Sequence, residues 1–247
     1  MDFSIEVHDK RMAEIVDSDS SLEKVATGFR FLEGPVWDPY EKSLIFSDIM
    51  GNGLFLKDRH DSISVFRENS YLANGNTYDR SGRLLTCEHG TSRVTRLEKD
   101  GTSVVLASHY QGKELNSPND IIVSGNGSIF FTDPTPGRMG RVGIPREQDL
   151  DFQGVFRIDP QGTLHLLADD FSKPNGLCLS LDEQFLYVND TDLQHIRRFK
   201  VTPKGGLEDG RIWVELHGDE PGVADGMKFD SAGFLYCSGP GGVQVYD

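Results

Sequence analysis

The stretch Glu33-Gly34-Pro35-Val36-Trp37-Asp38 decides the fold, because it is the first copy of a phrase that recurs along a chain of 247 residues. In each copy an acid or amide stands beside a Gly or Asp and leads into an apolar strand. Later copies begin at Asn74-Gly75, Asn119-Asp120, Asn175-Gly176 and Asp225-Gly226. Each opens a unit of three strand-like runs. In the first unit, Gly34 to Asp38 is followed by Ser43-Leu44-Ile45-Phe46-Ser47-Asp48 and then by Gly53-Leu54-Phe55-Leu56-Lys57. The last unit has Gly226-Met227-Lys228-Phe229, Gly233-Phe234-Leu235-Tyr236-Cys237 and Gly242-Val243-Gln244-Val245-Tyr246.

The key positions 33, 74, 119, 175 and 225 lie 41, 45, 56 and 50 residues apart, close to the roughly 40 to 50 of a four-stranded propeller blade. Strand alternation with Gly and Asp turns, and almost no helical period, excludes alternating βαβ architectures. The expected fold is an all-β, six-bladed β-propeller type, C-terminally incomplete, with about five blades present. The fifth unit stops at Asp247, and residues 22–29 alternate like a spare outer strand. Residues 1–21 read as an N-terminal extension and 22–247 as the propeller domain.

Composition narrows the function classes. Hydrophobic residues make up 37% and charged residues 26%, with a net charge of -14. Nucleic acid and anionic membrane surfaces are excluded as partners, since both require a basic footprint. No run approaches the roughly 18 apolar residues of a membrane span. Met1-Asp2-Phe3-Ser4-Ile5-Glu6 lacks the basic head and apolar core of a secretion signal, so a cytoplasmic location is expected. Cys87, Cys178 and Cys237 form no CxxC pair and are odd in number; they are expected to be buried free thiols rather than zinc ligands or disulfides. Residues 5–17 permit a short amphipathic helix. Asp17-Ser18-Asp19-Ser20 lacks the later Gly and Glu of a calcium loop and reads as a solvated turn. Pro134 to Asp151, rich in Pro, Gly and Arg, reads as an extended loop, either a lid or a subunit contact.

In a propeller the innermost strand of every blade lines the channel, so equivalent strand ends meet at one mouth. Glu33, Asn119, Asn175 and Asp225 stand there, two carboxylates and two amides. These hard oxygen donors suit a divalent cation; Ca²⁺ is the expected ion, with Zn²⁺, Mn²⁺ or Mg²⁺ as alternatives. Asn74 holds the same repeat position and is a candidate substrate contact or a turn cap. His89 and Arg93 follow the second strand of their unit, as substrate contacts at the mouth or as a solvated turn. Asp133 and Asp190, each at the end of a second strand, are expected to bond neighbouring backbone.

The phrases FLEGPVWD, LNSPNDIIV, SIFFTDP, KPNGLCLS and ADGMKFD, in this order over roughly residues 22 to 247, resemble the senescence marker protein-30, gluconolactonase and luciferin-regenerating enzyme family, particularly its bacterial gluconolactonases. The resemblance implies six blades and a metal held by Glu33 of EGP, Asn175 of PNG and Asp225 of DGM. It implies that Asn119 of PND reaches the metal or the substrate. Animal members carry an arginine two residues before that asparagine. This chain has Ser117 there, which leaves the sugar-hydroxyl contacts of that arginine without a carrier. The implied reaction is metal-dependent hydrolysis of a small sugar lactone, with Asp225 as ligand and general base. A calcium-dependent phosphotriesterase and a non-catalytic binding propeller are the alternatives.

Overall fold

Each repeat phrase becomes the innermost strand of a sheet whose strands follow one another in chain order. A computed structural model describes residues 4–16 and 20–247. Blade 1 contains Leu32–Asp38, Ser43–Asp48, Gly53–Lys57 and Ile63–Glu68. Blade 2 contains Ala73–Tyr78, Leu84–Glu88, Arg93–Leu97 and Ser103–Ala107. Blade 3 has Ile121–Val123, Ile129–Asp133, Gln153–Ile158 and Leu164–Phe171. Blade 4 has Pro174–Leu179, Phe185–Asp190, His195–Val201 and Leu207–Glu215. Blade 5 has three strands, Met227–Phe229, Leu235–Gly239 and Gly242–Tyr246. All five are antiparallel meanders, and their first strands touch in sequence from blade 1 to blade 5. The all-β propeller expectation is met.

The core is a series of apolar layers between blades. A strand inside a blade that is covered on both faces buries consecutive residues on opposite sides. Phe131 joins Leu85, Cys87 and Ile121 between blades 2 and 3, whereas its neighbour Phe130 joins Leu177, Leu186 and Phe199 between blades 3 and 4. Cys178 and Cys237 lie with Met227 and Leu235 between blades 4 and 5. All three cysteines are buried free thiols, as expected, and burial pushes each thiol upward in pKa.

The acids at the ends of second strands act as staples. Asp48 accepts from the backbone N–H of Arg30 and Phe31 at 3.1 and 3.0 Å. Asp133 accepts from Asn116 and Ser117, both at 2.8 Å. Asp190 accepts from Ser172 and Lys173 at 2.7 and 3.2 Å. In every case the two donors sit three and two residues ahead of a key residue, so the staple delivers Glu33, Asn119 or Asn175 to its place. Blade 2 has Glu88 at this position, opposite Ala73.

Two expectations are corrected. Residues 22–29 form no strand. The segment lies along the flank of blade 1, where Phe29 packs edge-on against Phe46 and Phe55, with centroids 5.1 and 4.8 Å away, while Leu22 stays exposed. Val25 and Ala26 line a cavity of about 250 Å³ with Leu32, Glu33, Leu44 and Phe46. The helical reading of residues 5–17 reduces to a 3-10 turn, Lys10–Glu14, which buries no side chain. Asp17, Ser18 and Asp19, read as part of a solvated turn, lie outside the described residues. Among the described residues no helix is long and apolar enough to cross a membrane.

Candidate metal centre

The repeat phrase puts a bulge at the start of the innermost strand. Pairing with the second strand shifts register between Glu33 and Val36, between Ala73 and Asn76, and between Pro174 and Leu177. A bulge re-aims the side chain it carries, here Glu33, Asn74 and Asn175. The neighbouring glycines serve the close approach of adjacent blades. A Cβ on Gly75 would lie 2.4 Å from the Asn119 carbonyl oxygen, and one on Gly176 would lie 2.2 Å from that of Asp225.

Hydrogen bonds lock these junctions. Asn76 Nδ2 donates to the Gly34 carbonyl at 2.9 Å, linking blades 2 and 1, and Gly75 N–H donates to the Asn119 carbonyl at 2.8 Å. Thr132 Oγ1 donates to the Asn175 carbonyl at 2.8 Å, and Asn189 Nδ2 donates to the Asp225 carbonyl. Key residues of consecutive blades are thereby fixed by their backbones, which leaves their side chains for the mouth.

Glu33, from the first blade, and Asp225, from the last, are brought into mutual electrostatic reach. Burial, then the Asp225 charge, push Glu33 up to about 8. Burial, then the Asp120 charge, push Asp225 up to about 6, against a lowering hydrogen bond from Asn175. Partly desolvated carboxylates whose pKa values are raised by neighbouring acids lack positive charge, and a cation among them would relieve the conflict.

The amides are oriented to help. Thr191 Oγ1 spends its hydrogen on the Ala224 carbonyl at 2.7 Å, so toward Asn175 it is an acceptor. Asn175 Nδ2 therefore faces it at 3.0 Å, and the Oδ1 end is left for a ligand. The Asn119 side chain, 7% exposed, has no hydrogen-bond partner among the described residues. No three His, Cys, Asp or Glu side chains among the described residues form a metal cluster by themselves, so a cation held here would need amide oxygen as well as carboxylate. The donor set fits a hard divalent ion.

Asp120 is a functional candidate absent from the sequence reading. It stands where all four other phrases have glycine (Gly34, Gly75, Gly176 and Gly226), and that departure is its signal. One of its oxygens accepts from its neighbour Ile121 N–H at 2.8 Å and the other from Leu177 N–H of blade 4 at 3.3 Å. Lys228 of blade 5 reaches to 3.9 Å from it.

The remaining candidates divide. His89 meets Asn74, with Nε2 3.1 Å from Nδ2. Arg93 instead stays within blade 2, donating from Nε to Glu88 at 2.6 Å and lying 4.9 Å from the centre of the Tyr71 ring. Ser117 supports the 134–151 loop, donating to the Pro134 carbonyl and accepting from Gly137 N–H at 2.9 Å.

Residues 31–247 match the SMP-30/Gluconolactonase/LRE-like region. A gluconolactonase of Zymomonas mobilis is 30% identical over 96% of this chain and 72% of its own length. The solved structure of a gluconolactonase from Xanthomonas campestris superposes with a TM-score of 0.84 at 36% identity, covering 90% of this chain and 74% of that one. A calcium-binding regucalcin from Agrobacterium tumefaciens shares the fold, with a TM-score of 0.72 at 18% identity over 90% of this chain and 72% of its own.

Proposed function

The chain belongs to the SMP-30/gluconolactonase/LRE-like family, and on that premise we propose that it hydrolyses a sugar lactone to the open-chain hydroxy acid at a site holding a divalent cation, with Ca²⁺ the expected ion. The observation that carries this reading is the pairing of Glu33 with Asp225 from opposite ends of the chain, both half-buried and both raised in pKa by desolvation. Glu33, Asn175 and Asp225 would hold the ion, with Asn119 completing the set or turning to the substrate. When bound, the ion supplies positive charge for the carbonyl oxygen that becomes negative as water adds. Asp225 takes the proton of the attacking water through the carboxylate oxygen not engaged elsewhere. That proton passes to the ring oxygen as the acyl–oxygen bond breaks. Asn175 and the backbone lock between Asn189 and the Asp225 carbonyl hold Asp225 in place for this transfer.

The test is pH-stat titration of glucono-1,5-lactone hydrolysis before and after chelation, with Ca²⁺, Zn²⁺ or Mn²⁺ restored and an organophosphate run in parallel. Chelation is expected to stop lactone turnover and one of the ions to restore it. Asp225→Ala should lose both calcium binding and turnover, whereas Asp225→Asn should keep the ion and lose rate. Full activity in either variant removes Asp225 from the mechanism. Turnover of the organophosphate alone supports the phosphotriesterase reading, and turnover of neither leaves a binding propeller.

A further inference from the structure

The 134–151 loop is pinned against one residue of the mouth. Arg138, 6% exposed, donates to the Asn116 carbonyl at 2.9 Å and to Glu114 at 2.7 Å, fastening the loop to the connection before blade 3. Arg146 Nη2 donates to the His89 carbonyl at 3.0 Å. Gly137 lies so close to the His89 ring that a Cβ there would be 2.6 Å from Cγ. Val142 brings its carbonyl oxygen to 3.1 Å from His89 Nδ1.

These contacts determine which hydrogen His89 carries. A carbonyl oxygen only accepts, so Nδ1 is the protonated nitrogen. His89 is 1% exposed, and burial, reinforced by the Arg146 charge, pushes it down to about 4 despite the Val142 bond. The ring is neutral, and Nε2 therefore presents a lone pair. Asn74 lies 3.1 Å from that lone pair and must turn its Nδ2 hydrogen toward it. The amide cannot flip without setting two acceptors face to face.

We infer that His89 is a positioning residue, and that through it the 134–151 loop fixes the Asn74 amide with Oδ1 open at the mouth, as the acceptor for a hydroxyl of a polyhydroxylated substrate. The inference rests on the sugar-lactone reading above and adds a subsite to it. Asn74 is 5% exposed, and its Oδ1 makes no hydrogen bond among the described residues. Its backbone is held beside the candidate metal centre: its carbonyl accepts from Ser47 Oγ at 2.6 Å, and the next residue, Gly75, donates to the Asn119 carbonyl at 2.8 Å. Asn119 and Asn175 differ, since neither amide is held by a histidine. A site that pairs a buried acceptor with a substrate hydroxyl discriminates against analogues without it more strongly than an apolar pocket does.

The experiment compares kcat/KM for glucono-1,5-lactone with that for δ-valerolactone, which has no hydroxyl groups. In wild type the hydroxylated lactone is expected to be preferred. Asn74→Ala and His89→Leu should each lower that preference ratio by about tenfold or more. His89→Gln, whose side-chain oxygen still accepts from Asn74, should keep the ratio within about threefold of wild type. A role confined to folding would lower the melting temperature without moving the ratio, so unchanged ratios in Asn74→Ala and His89→Leu overturn the inference. If wild type cleaves neither lactone, the lactonase reading falls separately. Calorimetric binding of gluconate then decides the subsite: weaker binding to Asn74→Ala supports it and equal affinities overturn it.

Discussion

Asp190 links the fold to the site most directly, and Asp190→Ala tests that link. The carboxylate is fully buried. Its Oδ2 accepts from Ser172 N–H at 2.7 Å, and its Oδ1 accepts from Lys173, Asp192 and Leu193 N–H at 3.2, 3.0 and 3.1 Å. Hydrogen bonds to a charged group contribute about 1.5–3 kcal/mol each, and a buried donor left without an acceptor costs about 1–3 kcal/mol. Four such bonds on one carboxylate are not additive, and removing one partner of a buried charged network costs about 3–5 kcal/mol. Asp190→Ala should therefore remove about 3–5 kcal/mol from a stability on the order of 10 kcal/mol. Asp190→Asn keeps at most the three bonds to Oδ1 and sets its amide hydrogens against Ser172 N–H, so it should cost about 1–3 kcal/mol. Urea unfolding at neutral pH reads both, as a lower midpoint with an unchanged slope. Because Ser172 and Lys173 lead into Asn175, calcium affinity should fall with stability in the alanine variant. A loss below about 0.5 kcal/mol for Asp190→Ala, the range of an ordinary surface change, would refute the staple.

The other expectations concern single groups. His89 has its pKa lowered from 6.5 to about 4 by burial, so the unfolded chain takes up its proton first as pH falls. Its contribution is complete above pH 6.5 and lost between 6.5 and about 4, by about 2–3 kcal/mol at pH 4.5. Urea midpoints at pH 7 and 4.5 should converge between wild type and His89→Gln by that amount, and parallel losses would refute it. Lys228 Nζ lies 3.9 Å from Asp120 and the side chain is 60% exposed, so Lys228→Met should tighten calcium binding by about threefold at low salt and by less at 0.15 M. Calorimetry showing weaker or salt-independent binding would count against that contact. Gly75→Ala pushes a Cβ to 2.4 Å from the Asn119 carbonyl, while Gly226 has open space. The first should cost about 1–3 kcal/mol and the second little; equal melting temperatures for the two variants would show that blade contact does not explain the repeated glycine.

The sequence by itself determined the repeat, and with it the propeller. A period of two assigns side chains to faces of a strand, and recurrence every 40 to 60 residues assigns strands to blades. Both are local properties, and so is the burial of Cys87, Cys178 and Cys237 inside apolar strands. The same locality misled at residues 22–29, where alternation served packing on Phe46 and Phe55 instead of pairing in a sheet. Arg93 likewise looked free until Glu88, five residues earlier, took it. What only the tertiary structure decided is the chemical orientation of the site. Asn175 is turned by Thr191 and Ala224, Asn74 by His89 and Val142, and Asp120 is held by Leu177 and approached by Lys228. An amide or imidazole has two chemically different ends at nearly equal positions. Which end faces the ligand depends on partners 15 to 53 residues away, and no residue pattern along the chain encodes that choice.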